Sequence, residues 1–121
     1  MPDSVSPAPT IFGKIIDGDI PSEKLHEDEL CIVIKDISPQ APTHVLIIPK
    51  KPIPRLADAT EGDKGVLGHL MLVAGDVARQ LGVDEAFRLV VNNGAGAGQT
   101  VFHLHLHLMA NKAFSEGDMA L

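Results

Sequence analysis

An α+β fold, with a helix packed against one antiparallel sheet, is the class this sequence predicts. Three observations predict it. Over residues 101–109 apolar and polar side chains alternate, with His103, His105 and His107 on one side and Leu104, Leu106 and Leu108 on the other. That is the period of a strand with one face buried. Between Thr60 and Gly82, the residues Val66, Leu70, Val73, Val77 and Leu81 recur at helical spacing, joined by Leu67, Ala74 and Ala78. Finally, the apolar runs 87–92 and 101–109 flank the glycine-rich stretch Gly94-Ala95-Gly96-Ala97-Gly98, the order of an antiparallel hairpin with a long tip.

The elements follow in chain order. The apolar stretch 11–16 is expected as an edge strand, closed by the turn signal Asp17-Gly18-Asp19. Residues 21–24 are expected to start one helical turn. Residues 30–35 read as a strand with Ile32 and Ile34 on one face. Two prolines make 36–42 a loop. Residues 44–49 form a further strand, apolar enough for burial on both faces, and Pro49 ends it. Thr60 is expected to cap the long helix, with Glu61 and Asp63 in its first turn and Gly82 stopping it. His69, beside the apolar stripe, reads as a flanking surface residue. No pattern emerges from Asn111 onward.

Composition bounds the function. At 121 residues and 45% hydrophobic content the chain suits one domain with one core, and it contains no apolar stretch of membrane-spanning length. Residues 1–9 lack the basic start and apolar run of a secretory signal and read as a short disordered tail. The net charge of −6, spread along the chain, argues against a nucleic-acid partner, which requires a basic face. It leaves room for a small anion in a local pocket. Cys31 has no second cysteine to pair with and sits in an apolar run, so a buried thiol in a reducing, cytoplasmic compartment is expected.

The histidine ladder carries the chemistry. Three histidines in strict alternation with a leucine face are hard to explain as solvent decoration. Residues four apart on a strand lie about 13 Å apart along it, so one ion cannot collect all three; a metal site would need His44 or another ligand. Nucleophilic catalysis fits better: one ring nitrogen must be unprotonated and the other held as a donor. His105, in the centre, is best placed to attack a group held by its neighbours. The glycine stretch suits an anionic substrate, because glycine lets backbone amides approach a phosphate. Gln99 adds donors, and Thr100 adds a hydroxyl able to protonate a leaving group or bond a phosphate oxygen.

The run Gly98-Gln99-Thr100-Val101-Phe102-His103-Leu104-His105-Leu106-His107-Leu108 resembles the histidine triad motif. Asp36-Ile37-Ser38-Pro39-Gln40-Ala41-Pro42-Thr43-His44 and Ile47-Ile48-Pro49-Lys50-Lys51 resemble the Hint branch of that superfamily, as does Ile11-Phe12-Gly13-Lys14-Ile15-Ile16 followed by Ile20-Pro21. The similarity covers roughly residues 10 to 109, which places one domain at 10–121. It implies a five-stranded antiparallel sheet with one long and one short helix, continued across a homodimer. It further implies a purine nucleoside phosphoramidase that releases AMP and an amine from adenosine 5′-phosphoramidates, with no metal or cofactor. By position, His105 matches the nucleophile, His107 a phosphate contact, and His103 and His44 a polar relay, the carbonyl of His103 fixing the tautomer of His105. In that chemistry the Thr100 hydroxyl gives the leaving amine its proton. Asp36 matches the ribose-binding carboxylate, while Asn92, Gly98, Gln99 and Thr100 match phosphate-side contacts. Phe12, Ile15, Ile20, Ile34, Ile37 and Leu46 match the nucleobase pocket.

Two departures are visible. Some bacterial relatives bind zinc through two N-terminal cysteines, which Ile11-Phe12-Gly13-Lys14 lacks. The family's tryptophan-containing tail is replaced by Met109-Ala110-Asn111-Lys112 and a short acidic end. The stretch around Gln99 also resembles the Fhit branch, which cleaves diadenosine polyphosphates. A nucleotide-binding scaffold with incidental turnover is the other alternative.

Overall fold

The computed structural model describes residues 9–117. The expected disordered tail therefore lies, but for Pro9, outside the described residues. The chain runs α1 (Ile11–Ile16), β1 (Lys24–Glu27), β2 (Cys31–Lys35), β3 (Thr43–Pro49), α2 (Lys64–Gln80), β4 (Phe87–Val90) and β5 (Leu106–Ala110), with single 3-10 turns at Leu56–Asp58, Glu61–Asp63 and Ala95–Ala97. The strands form one sheet in the order β1-β2-β3-β5-β4, with every neighbouring pair antiparallel. The fold is α+β, with one long and one short helix, as expected. No helix among the described residues is long and apolar enough to cross a membrane.

Residues 11–16 are helical rather than an edge strand. Thr10 Oγ1 accepts from the Gly13 amide at 3.1 Å, capping the first turn, and Phe12 and Ile15, three apart, bury together. A six-residue apolar run fits either period; the cap and the docking face decide it. Residues 21–24 do not begin a helical turn. They run extended into β1, a half-exposed edge strand whose polar sequence Lys24-Leu25-His26-Glu27 hides its period. The long helix starts later than expected. Thr60 caps the 3-10 turn Glu61–Asp63, and Asp63, a buried carboxylate paired with Lys51, leads into α2.

The alternation of strands β2, β3 and β5 divides the core into two layers. Cys31, Val33, Val45, Ile47, Leu106 and Leu108 face α2, where they meet Leu70, Val73, Val77 and Ala78. Ile32, Ile34, Leu46 and Ile48 face the other way, toward Phe12 and Ile15 of α1. Cys31 is fully buried, and its thiol is unpaired.

The last strand is shorter than the alternation suggests. Pairing with β3 stops at Ile47↔Leu106. Past that point the Pro49 carbonyl accepts from the His103 ring at 2.7 Å, and the Leu104 amide donates to Ile53 O at 2.7 Å. Residues 101–103 bend and 104–105 run outside the ladder, yet Leu104, Leu106 and Leu108 all remain buried.

Leu108 is fully buried between the sheet and α2. Leu108→Ala is expected to lower unfolding free energy by about 2–5 kcal/mol. Thr10→Ala, which removes only a cap, should cost roughly 0.5–2 kcal/mol. Urea titration of the two variants measures both.

Candidate active site

A cleft of about 640 Å³ opens between α1 and the sheet face opposite α2. Its volume lies in the range of small-molecule sites. Register builds its floor. Leu46 pairs with His107 and Ile34 with Leu46, so these side chains share one face, with His44 one pleat along β3. Phe12, Ile15, Ile20, Ile34 and Leu46 make the apolar end, and Ile37, 94% exposed, stands at the rim. Asp36, His44, Asn92, Gly98, Thr100, His105 and His107 line the rest. Ser22, Ser38, Gln40 and Val101 line it too, none of them a predicted site residue.

Hydrogen bonds to the main chain set the protonation of each ring. The His105 Nδ1 stands 2.8 Å from the His103 carbonyl. A carbonyl only accepts, so Nδ1 carries the proton and Nε2 keeps its lone pair. His44 is set from the other side. The Gln40 amide, which only donates, points at His44 Nδ1 at 2.9 Å. In the neutral ring His44 Nε2 is therefore protonated, and it donates to His107 Nδ1 at 2.9 Å. His107 is left with its proton on Nε2. The Asp36 carboxylate stands 3.4 Å from His44 Nε2, with its own Oδ1 accepting from the Ser38 amide at 2.8 Å.

Burial holds His44, His103 and His105 below the ordinary imidazole value. It pushes His107 down to about 4, with the adjacent His105 and His44 adding to the effect. The cluster is thus neutral at neutral pH. The rings of His105 and His107 lie 5.0 Å apart, and Phe12 meets His105 edge-on at 4.9 Å between centroids.

Two expected residues do not line the cleft. His103 is 2% exposed, its ring committed to the Pro49 carbonyl. Gln99 turns inward. Its Oε1 accepts from the Gly94 amide at 2.8 Å, and its Nε2 donates to Pro54 O at 2.8 Å and Val101 O at 3.0 Å. The glycine stretch also spends amides on itself: those of Ala97 and Gln99 donate to Gly94 O, and that of Gly98 to Ala95 O. Gly94 and Gly98 hold φ of 89° and 94°, the left-handed region open to glycine. The loop folds tightly and presents the Asn92 and Thr100 side chains to the cleft.

The three triad histidines do not converge on a point where one ion could sit. Asp36, His44 and His107 do offer three ligand atoms within 4.8 Å of one another. Two of those atoms are the nitrogens already hydrogen-bonded across the His44–His107 contact.

Comparisons with known proteins agree with this geometry. The family model described as HIT domain matches residues 17–114. An uncharacterized HIT-like protein of Synechocystis sp. is 58% identical over 106 residues, spanning 88% of this chain and 93% of that one. A HIT family hydrolase from Legionella pneumophila superposes with a TM-score of 0.86 at 39% identity, covering 89% of this chain and 97% of its own. A histidine triad nucleotide-binding protein from Candida albicans gives 0.75 at 36% identity, covering 83% and 73%. With the histidine ladder, the cleft and a domain match over most of its length, this chain belongs to the HIT domain family.

Proposed function

We propose that this chain is a hydrolase of purine nucleoside 5′-phosphoramidates that works through a nucleotidyl-His105 intermediate. The observation that carries the reading is the bond from His105 Nδ1–H to the His103 carbonyl. It leaves an unprotonated Nε2 on a ring that lines a cleft of mononucleotide size. The names of the similar proteins support the same class: one is called a hydrolase and one nucleotide-binding.

In this reading the base lies among Phe12, Ile15, Ile20, Ile34, Ile37 and Leu46, and Asp36 accepts from the ribose hydroxyls. Asn92, Gly98 and Thr100 stand on the phosphate side, and Gln99 holds their loop in shape. The His105 Nε2 lone pair attacks phosphorus as the P–N bond breaks, and the amine departs with a proton from Thr100. The His107 Nε2–H donates to a phosphoryl oxygen as charge builds there. Water then attacks phosphorus, its proton returning to the Thr100 oxygen, as the P–Nε2 bond breaks and AMP leaves. His103 and His44 position the two acting rings. No step requires a metal or cofactor.

The homodimer belongs to the same proposal. Met71 and Leu72 stand 58% and 72% exposed on α2, and β4 is an edge strand able to extend the sheet. A cytoplasmic setting suits the unpaired Cys31.

Kinetics, denaturation and sedimentation test the reading. His105→Ala is expected to lower kcat on an adenosine phosphoramidate by more than about a thousandfold, and His107→Ala by about a hundred- to a thousandfold. Acid quenching of wild type in a single turnover should trap nucleotide bound to protein; full turnover by His105→Ala would overturn the assignment. Faster cleavage of a diadenosine polyphosphate would favour the Fhit-like alternative, and tight AMP binding without turnover the scaffold one. For pH, the four imidazoles of the cluster bind fewer protons folded than unfolded below the ordinary value of 6.5. Their contribution to stability is present above 6.5 and is lost as pH falls toward about 4. Chemical denaturation across that range should show stability falling with pH, and the acid limb of kcat/KM should lie below the ordinary imidazole value, because burial lowers the His105 pKa. Sedimentation should give twice 12.9 kDa.

A further inference from the structure

On the sheet face opposite the cleft, side chains from three elements converge. His26 of β1 and His69 of α2 each place Nε2 2.7 Å from the same oxygen, Asp28 Oδ2. The Cys31 Sγ of β2 lies 3.6 Å from that oxygen. The other Asp28 oxygen accepts from the Leu30 and Cys31 amides at 2.8 and 2.9 Å, which fixes the carboxylate in the turn between β1 and β2. The ligand atoms of His26, Asp28 and Cys31 lie within 4.8 Å of one another.

We propose that His26, Asp28, Cys31 and His69 form a binding site for one divalent transition metal of the zinc class. The donor set is two imidazole nitrogens, a thiolate and a carboxylate, all ligand types that zinc takes in tetrahedral sites. Bonds of about 2.1 Å separate tetrahedral ligand atoms by about 3.4 Å. His26, Asp28 and Cys31 stand near that spacing, at 2.7 and 3.6 Å from the shared oxygen, whereas His69, outside the trio that lies within 4.8 Å, must swing in from its own 2.7 Å contact with that oxygen to complete the set. The imidazoles and carboxylate are about a quarter to a third exposed, while Cys31 is fully buried, so an ion has an entry and the sulfur forms the floor.

Without metal, both imidazoles donate to one carboxylate oxygen, and the thiol beside it is held protonated. Burial, followed by the neighbouring Asp28 charge, pushes its pKa up to about 12. A bound cation reverses that effect: the thiol loses its proton to solvent, and each imidazole moves its proton from Nε2 to Nδ1. The ion would clamp α2 to the β1–β2 turn.

The test uses the full chain, stripped of metal with a chelator and titrated with Co²⁺. The expected result is one equivalent bound with tetrahedral visible bands and a thiolate-to-cobalt charge-transfer band, displaced by Zn²⁺. The Asp36, His44 and His107 group has no sulfur, so the charge-transfer band reports this site alone. Cys31→Ser should abolish that band, and His26→Gln and His69→Gln, at partly exposed positions, should each weaken binding tenfold or more. Zn²⁺ should raise the melting temperature of wild type and raise it less in His69→Gln. A wild-type titration without the thiolate band, or the same band and affinity in His26→Gln and His69→Gln, would overturn the site.

Discussion

One hydrogen bond, from the ring of His105 to the backbone carbonyl of His103, decides which nitrogen of the central histidine can act. It depends on a break in the sheet. In a continuous antiparallel ladder that carbonyl would point at an amide of the neighbouring strand. Here pairing of β5 with β3 ends at Leu106, and residues 103–105 are held by other means. The His103 ring is anchored on the Pro49 carbonyl, and the Leu104 amide on Ile53 O. Two anchors, one on each side of the peptide, fix a carbonyl that a side chain two residues on can reach. Proline suits the end of β3 because it donates nothing and ends the pairing.

The same economy governs the other rings. Backbone groups cannot change role: an amide donates and a carbonyl accepts. Tying His44 to the Gln40 amide and His105 to the His103 carbonyl therefore writes fixed proton positions into titratable side chains. Burial reinforces them by disfavouring a second proton on any ring. A cluster of imidazoles in water would exchange tautomers and protonation states freely. Under α1 and Phe12 it holds one pattern, with a lone pair on His105 and an N–H on His107.

Much of this was legible in the sequence, for reasons that also mark where legibility ends. The Leu/His alternation announced two faces, and Leu104 stays buried even where the ladder stops, its amide anchored on Ile53 O in place of a strand partner. The strand's true start was hidden, since it depends on what the Pro49 carbonyl does 54 residues away. Residues 11–16 satisfied both periods, and the deciding Thr10 cap lay beside a proline-rich tail. Gln99 beside a glycine loop reads as a ligand donor; only packing shows that its amide is consumed within the loop. The Gln40 contribution had no signal at all, because its main-chain amide is common to every residue but proline. His69 read as a surface residue because its partner Asp28 lies 41 positions earlier.

Stability and chemistry meet on β5. Leu106 and Leu108 lock into the layer under α2, while His107, between them, enters the cleft on the opposite face. The pleat makes these inseparable: a one-residue slip would send every leucine into the cleft and every histidine into the core. The apolar layer therefore does more than hold the fold together. It fixes the register of β5, and with it where His107 and the adjoining His105 stand, to the tolerance of a packed interior. The cleft can then be open and polar, since its geometry is set from behind the sheet by residues that never face it.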